Sequence, residues 1–196
     1  MDLTKKQKAQ KAEETAEALS KKIKRAERSV KNYQSFILRL LLLALVVWIV
    51  FFQIIGLTHM PSNDMYPRID AGDLLLFYRL DKDVKAQDIV VFEKVPPDNT
   101  AESLFVGRVV AVAGDTVEIT DEGRLRVNGN TILESNIFYA TPRYEGYTEY
   151  PLTLGEGECF VLVDSREGGA DSRYFGPVGR DEISGTVITV LRRNNL

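Results

Sequence analysis

One cysteine, one histidine and one tryptophan in 196 residues narrow the available chemistry before any motif is read. Cys159 has no second thiol for an intramolecular disulfide and cannot build a cysteine-rich metal site. It sits in the apolar run Glu158-Cys159-Phe160-Val161-Leu162-Val163 and reads as a small buried hydrophobe. His59 alone cannot make a histidine-ligated centre, so neither a metal nor a cofactor is expected. Positive charge is also scarce where it would matter. Residues 36–196 hold fifteen Lys/Arg against twenty-three Asp/Glu, and a body so acidic offers no face for nucleic acid.

What the body lacks the head supplies. Residues 1–35 carry ten Lys/Arg against five Asp/Glu. They precede a run from Phe36 to Leu57 that is apolar apart from Arg39, Gln53 and Gly56, with no polar residue from Leu40 to Phe52. About 20 apolar residues at ~1.5 Å rise match the ~30 Å hydrocarbon core of a bilayer. A buried helix of a soluble domain would show a polar face, and this segment has none. Gln53 to Met60 contains no small-x-small cleavage site, and both the basic region and the apolar core are too long for a removable leader. The expectation is an uncleaved anchor contacting membrane lipid, with Arg39 snorkelling to the headgroups. No Lys or Arg lies between Leu40 and Pro67, so the charge bias places the N-terminus in the cytoplasm and the body outside. The resulting division is 1–35 as a cytoplasmic basic helix, 36–57 as a transmembrane anchor and 58–196 as an extracytoplasmic domain.

Within the head, Ala12, Ala16, Leu19, Ile23, Ala26, Val30 and Tyr33 alternate spacings of four and three on a stretch free of Gly and Pro. That is a heptad seam. Two readings stay open: a solvated or lipid-surface helix that only sets topology, or weak self-association through residues 12–33.

From Asp73 onward, short β-rich runs alternate with turn residues. Strands are expected at 74–78, 89–92, 104–106, 108–113, 116–119, 124–127, 159–163 and 186–191. Asn128-Gly129, directly after the sixth of these, reads as a tight hairpin turn. No useful helical period appears after residue 60. The segment from Glu134 to Glu158, with Phe138, Tyr139, Tyr144, Tyr147 and Tyr150, is expected as an extended loop or hairpin whose aromatics pack on the sheet, or else as a contact surface. The fold class is mainly β.

Four segments together resemble the type I signal peptidase family. They are Pro61-Ser62-Asn63-Asp64-Met65-Tyr66-Pro67, then Asp88-Ile89-Val90-Val91-Phe92 with Gln87 where the family has Gly, then Gly107-Arg108-Val109-Val110, then Phe160 to Arg166 running into Asp171-Ser172-Arg173-Tyr174-Phe175-Gly176. The resemblance covers residues 60 to about 190 and implies a β fold that presents an extended peptide along its edge. It also implies a Ser–Lys dyad, in which a neutral lysine takes the proton of an attacking hydroxyl. On this chain the nucleophile position falls on Asp64, the base position on Gly107, and the position that orients the base on Gly169. Ser62 matches an oxyanion-hole serine of some members. Pro67, Asp171 and Arg173 match the structural motif.

A carboxylate attacking an amide would form an anhydride, an uphill step, and Gly107 has no side chain. The resemblance is therefore closest in kind to the non-catalytic, SipA-type signal-peptidase-like proteins of Gram-positive pilus clusters, which implies a membrane-anchored assembly factor for a pilin or other secreted or membrane client, alongside a sortase. Candidate cleft contacts are Ser62, Asp64, Met65 and Arg108. Asp64 reads either as a turn residue or as an anionic contact that accepts a client's Lys or Arg or pairs with Arg108. An active signal peptidase and a scaffold working through its cytoplasmic helix remain as alternatives.

Overall fold

The computed structural model describes residues 3–98, 100–134, 137 and 139–192, with the side chains of the first helix from Glu17 onward, Ala18 apart. The side chains of Ala12 and Ala16 in the seam, Asn99 in a turn and Phe138 in the aromatic loop lie outside the described residues. The chain forms two compact units, Met1–Ile49 and Val50–Leu196.

The first unit is one helix, α1 (Leu3–Ile49), 47 residues long and without a Gly or Pro to interrupt it. Its apolar portion is the one helix among the described residues long and apolar enough to cross a membrane, and none of that window is buried. Charged head and apolar segment are continuous, with no break near residue 35. The apolar run expected as an anchor over 36–57 does not stay helical to its end. Val50–Ile54 forms a π-helical turn and Ile55–His59 is the first strand, β1, so Ile55, Gly56 and Leu57 belong to the β unit. Gly56 is the cause of one local feature. The ring of Phe77 lies across the strand pair where a Gly56 side chain would be, 2.1 Å from the ideal Cβ position.

The second unit is mainly β, as expected. The strands after β1 are β2 (Leu74–Tyr78), β3 (Ile89–Lys94), β4 (Ser103–Val112), β5 (Thr116–Ile119), β6 (Leu125–Val127), β7 (Asn130–Thr131), β8 (Leu152–Thr153), β9 (Glu158–Leu162), β10 (Val178–Gly179) and β11 (Ile183–Leu191), with one short helix, α2 (Ser172–Phe175). A seven-stranded sheet runs β1-β2-β11-β3-β4-β9-β10 and a four-stranded one runs β7-β6-β5-β8, every pairing antiparallel.

Period-two alternation explains how the central strands are covered on both faces. On β3, Val90 and Phe92 join Val109, Cys159, Val161, Val178 and Ile183 in one apolar cluster. Val91 between them joins Met60, Met65, Ile69, Leu75, Phe77, Val106 and Val163 in another. A third cluster, around Phe160, Leu162, Val110 and Ile119, seats the small sheet on the large one. Each buried large aliphatic or aromatic side chain contributes about 1.5–3 kcal/mol. Burial pushes the Cys159 thiol up to about 12, in keeping with a buried hydrophobe.

Two strands expected at 104–106 and 108–113 are one ten-residue strand, β4, running through Gly107. Gly107 pairs with Val90 and does not break the ladder. Asn128 and Gly129 have φ of 53° and 77°, the doubly positive pair of a type I′ turn joining β6 to β7. β7, β8 and β10, two residues each, are too short to have been read from the sequence. Of the aromatics of the 134–158 segment, Tyr150 packs on the sheet against Phe160, Tyr144 and Tyr147 pack on Arg173 and Tyr174 of α2, and Tyr139 is exposed.

Candidate functional site

The loop from Met60 to Asp73 is tied at its neck by backbone bonds from the Met60 amide to the Asp73 carbonyl (2.8 Å) and from the Gly72 amide to the Met60 carbonyl (2.9 Å). Buried Met65 and Ile69 pin it to the core, and the Asn63 side-chain carbonyl accepts from the Ala71 amide at 3.0 Å. This leaves Ser62 and Asp64 half-buried on the outer side of the loop. The Asp64 amide donates to Ser62 Oγ at 3.4 Å, and the Asp64 carbonyl accepts from the Ser165 amide at 2.8 Å.

Asp64 meets Gly169 directly. An ideal Cβ on Gly169 would lie 3.1 Å from Asp64 Cγ, 3.2 Å from its Oδ1 and 3.0 Å from Val163 Cγ2. Gly169 also has φ +87°, where any side chain is strained. Two of the three positions singled out for chemistry are thus in contact. The third, Gly107, is set by different neighbours: its ideal Cβ would lie 2.5 Å from Val161 Cγ1 and 3.3 Å from the Leu162 carbonyl oxygen. The direction a side chain would take from residue 107 is filled by a fully buried valine.

Gly169 is held in place by Arg173. This guanidinium is fully buried, and its Nε and Nη2 grip the Asp171 carboxylate at 2.9 and 2.8 Å. Its remaining donors reach the carbonyls of Arg166 (2.7 Å), Pro142 (3.3 Å) and Gly168 (3.3 Å), and its plane lies 4.3 Å from the centre of the Tyr144 ring. Tyr144 Oη in turn donates to the Gly169 carbonyl at 3.0 Å. Burial raises the Tyr144 phenol above its usual range; Arg173 opposes this, while the Asp171 and Asp64 carboxylates add to it. Asp171 has a second task, capping α2 by accepting from the Arg173 amide at 3.0 Å while its other oxygen accepts from the Val163 amide at 3.1 Å.

Two cleft candidates are corrected by the geometry. Met65 is wholly buried in the core and presents nothing to a ligand. Arg108 is buried too, with Nε and Nη2 bound to the two oxygens of Asp164 at 2.8 and 2.6 Å and Nη1 donating to the Gln87 carbonyl at 3.1 Å. It is committed to Asp164 and is not the partner of Asp64. Pro67 follows a cis peptide bond and is exposed. Sequence reasoning missed Tyr144 and Arg166 as parts of the site. Arg166 is fully buried and bound to the Val163 carbonyl, Thr141 Oγ1 and Glu134 Oε1. The only signal for it was its place at the end of the Phe160–Arg166 motif. Gln87 also acquires a cause: its φ is 79°, the left-handed conformation that glycine adopts freely, at the position where the resemblance has Gly.

The sequence profile described as signal peptidase, peptidase S26, matches residues 30–191. The chain belongs to the signal peptidase family. Among curated relatives it is similar to the Arabidopsis thaliana protein named thylakoidal processing peptidase 1, chloroplastic, at 33% identity over 137 residues, covering 64% of this chain and 38% of the relative. It is also similar to the probable signal peptidase I-2 of a Synechocystis species, at 32% identity over 135 residues, covering 65% of this chain and 58% of the relative. A signal peptidase I of Enterococcus faecalis V583 with a solved structure is 32% identical, with a TM-score of 0.42, covering 55% of this chain and 97% of that one. The chain thus spans between about two fifths and three fifths of the length of the two curated relatives. In this signal peptidase family member, the buried Arg108–Asp164 pair ties the motif on β4 to the one that follows β9, while the Arg173–Asp171 pair closes within the last motif.

Proposed function

We propose that this member of the signal peptidase family holds a polypeptide in the cleft beside Asp64 without cutting it. The reading has the chain anchored by the apolar end of α1, with the N-terminus cytoplasmic and the β unit outside. The observation that carries it is the contact at Gly107: where the family's lysine stem would leave the strand, Val161 Cγ1 lies 2.5 Å from the Cβ position. A residue whose side chain was merely missing would leave room, whereas this room is filled by packing. The attacking position offers a carboxylate in place of a hydroxyl, and the orienting position is a glycine whose φ of +87° suits no other residue well. Lys94 is no substitute base, because its ammonium is bound to the Pro177 carbonyl (2.7 Å) and to Glu182 (2.6 Å). Without nucleophile and base, only the small rate enhancement of an oxyanion hole would be left.

The Asp64 carboxylate, half-buried and without a hydrogen-bond or ion-pair partner among the described residues, suits a Lys or Arg side chain of an extended client. By the resemblance to the pilus-cluster proteins the client is a pilin, handled alongside a sortase. Binding of a purified pilin precursor to the full chain in lipid nanodiscs tests this. Asp64→Ala is expected to weaken binding about tenfold, the scale of one desolvated charge-assisted contact, while the exposed-site control Tyr139→Ala leaves it unchanged. Equal binding by wild type and Asp64→Ala would overturn the cleft as the holding site.

A further inference from the structure

α1 displays an apolar seam with nothing in its own unit to cover it. Leu19, Ile23, Val30 and Tyr33 are 60%, 52%, 55% and 66% exposed. With Ala26 they fall at alternating a and d positions of a heptad: Leu19 d, Ile23 a, Ala26 d, Val30 a, Tyr33 d. The charges flanking this seam are sorted. Of the basic residues between Glu17 and Tyr33, Lys21, Lys24, Arg25, Arg28 and Lys31 all take the outward b, c and f positions. The flanking e and g positions hold Ser20, Lys22, Glu27 and Ser29. Lys22 at g and Glu27 at e are five residues apart, the separation at which a g residue meets the e residue of a parallel partner. Within one helix that separation brings no contact, since side chains meet at three and four. Glu17 and Lys21, by contrast, close an ordinary i, i+4 pair at 3.1 Å on the outward face. Neither Lys22 nor Glu27 has an ion-pair partner among the described residues.

We infer that this seam is the contact face of a parallel homodimer, the partner being a second copy of α1. Two symmetric Lys22–Glu27 pairs flank the seam, and no like charges face each other across it. The direction of pairing rests on the anchor reading, because two copies inserted through the same apolar segment leave the bilayer the same way and can meet only in parallel. A helix lying on the lipid surface would also bury an apolar face, but it would need a break before the apolar segment, and α1 runs unbroken from Leu3 to Ile49. The seam is short and contains Ala26, so the pairing is weak and reversible, and the anchors raise its local concentration.

The full chain in host membranes provides the test. Ile23→Cys, at a core position, is expected to form a disulfide-linked dimer under copper-phenanthroline oxidation, whereas the outward Lys24→Cys remains monomeric. The buried native Cys159 does not interfere. Energy transfer between labelled copies diluted in liposomes reads the charge pairs. Lys22→Glu and Glu27→Lys each turn two attractions into two repulsions and are expected to lower the association constant about tenfold. The double variant K22E/E27K restores it. Equal cross-linking at 23 and 24, none at either, or a double variant no better than the singles would each overturn the dimer. Chain left in the soluble fraction would instead overturn the anchor on which the parallel direction rests.

Discussion

At Gly107 a lysine would have to displace the γ-methyl of Val161, a residue with no exposed surface. Overpacking of this kind costs about 1–3 kcal/mol. Gly107→Lys is therefore expected to lower the stability by that amount, and Gly107→Lys with Val161→Ala to recover part of it, as thermal melts of the two variants will show. If Gly107→Lys melts like the wild type, the position retains room for a base. Cys159 supports a second residue-level expectation. Its folded thiol is pushed up to about 12 by burial, above the ~8.5 of a free thiol. The folded state then keeps the proton that the unfolded state releases. Stability from this site is complete below about pH 8.5 and declines as pH rises toward 12, by at most about 1.4 kcal/mol per pH unit. Cys159→Ala should flatten that decline, measured as unfolding midpoint against pH.

At the scale of elements, the turn before β3 carries an identifiable fault. Gln87 sits at φ 79° while its amide donates to the Val109 carbonyl (2.8 Å) and its carbonyl accepts from Arg108, so the strain is held in place from both sides. Left-handed backbone costs a non-glycine residue about 1–2 kcal/mol, partly offset by its lower unfolded-state entropy. Gln87→Gly is expected to stabilise the β unit by about 0.5–1 kcal/mol in urea unfolding, and a destabilised variant would show that the side chain has a role of its own. Strands with apolar runs or clean alternation, such as 74–78 and 116–119, were readable because their burial is written in their own residues. The Asn128-Gly129 turn was readable because its backbone demands those residues. β4 was misread as two strands because a glycine looks like a break when its cross-strand neighbour is unknown. β1 was hidden because the apolar run of the helix flows into it without a polar boundary.

For the molecule as a whole, motif order along the chain indicated the family and the loop carrying Asp64, but not which motif residues face a ligand. Met65 and Arg108 looked like cleft contacts and prove to be core and buried ion pair. The Arg173 guanidinium is fully committed: Nε and Nη2 hold the Asp171 carboxylate, and the carbonyls of Arg166, Pro142 and Gly168 accept its other bonds. On the proposed reading, Asp64, Gly107 and Gly169 sit at the dyad and base-orienting positions within packing that is complete around them. Such a cleft, as proposed, holds a polypeptide without hydrolysing it. The most direct measurement is intact-mass analysis of a signal-peptide-bearing precursor incubated with the full chain in nanodiscs. The account predicts that the precursor mass persists over hours and that Asp64→Ala leaves the spectrum unchanged. Release of the signal peptide by the wild-type chain, abolished by Asp64→Ala, would contradict it.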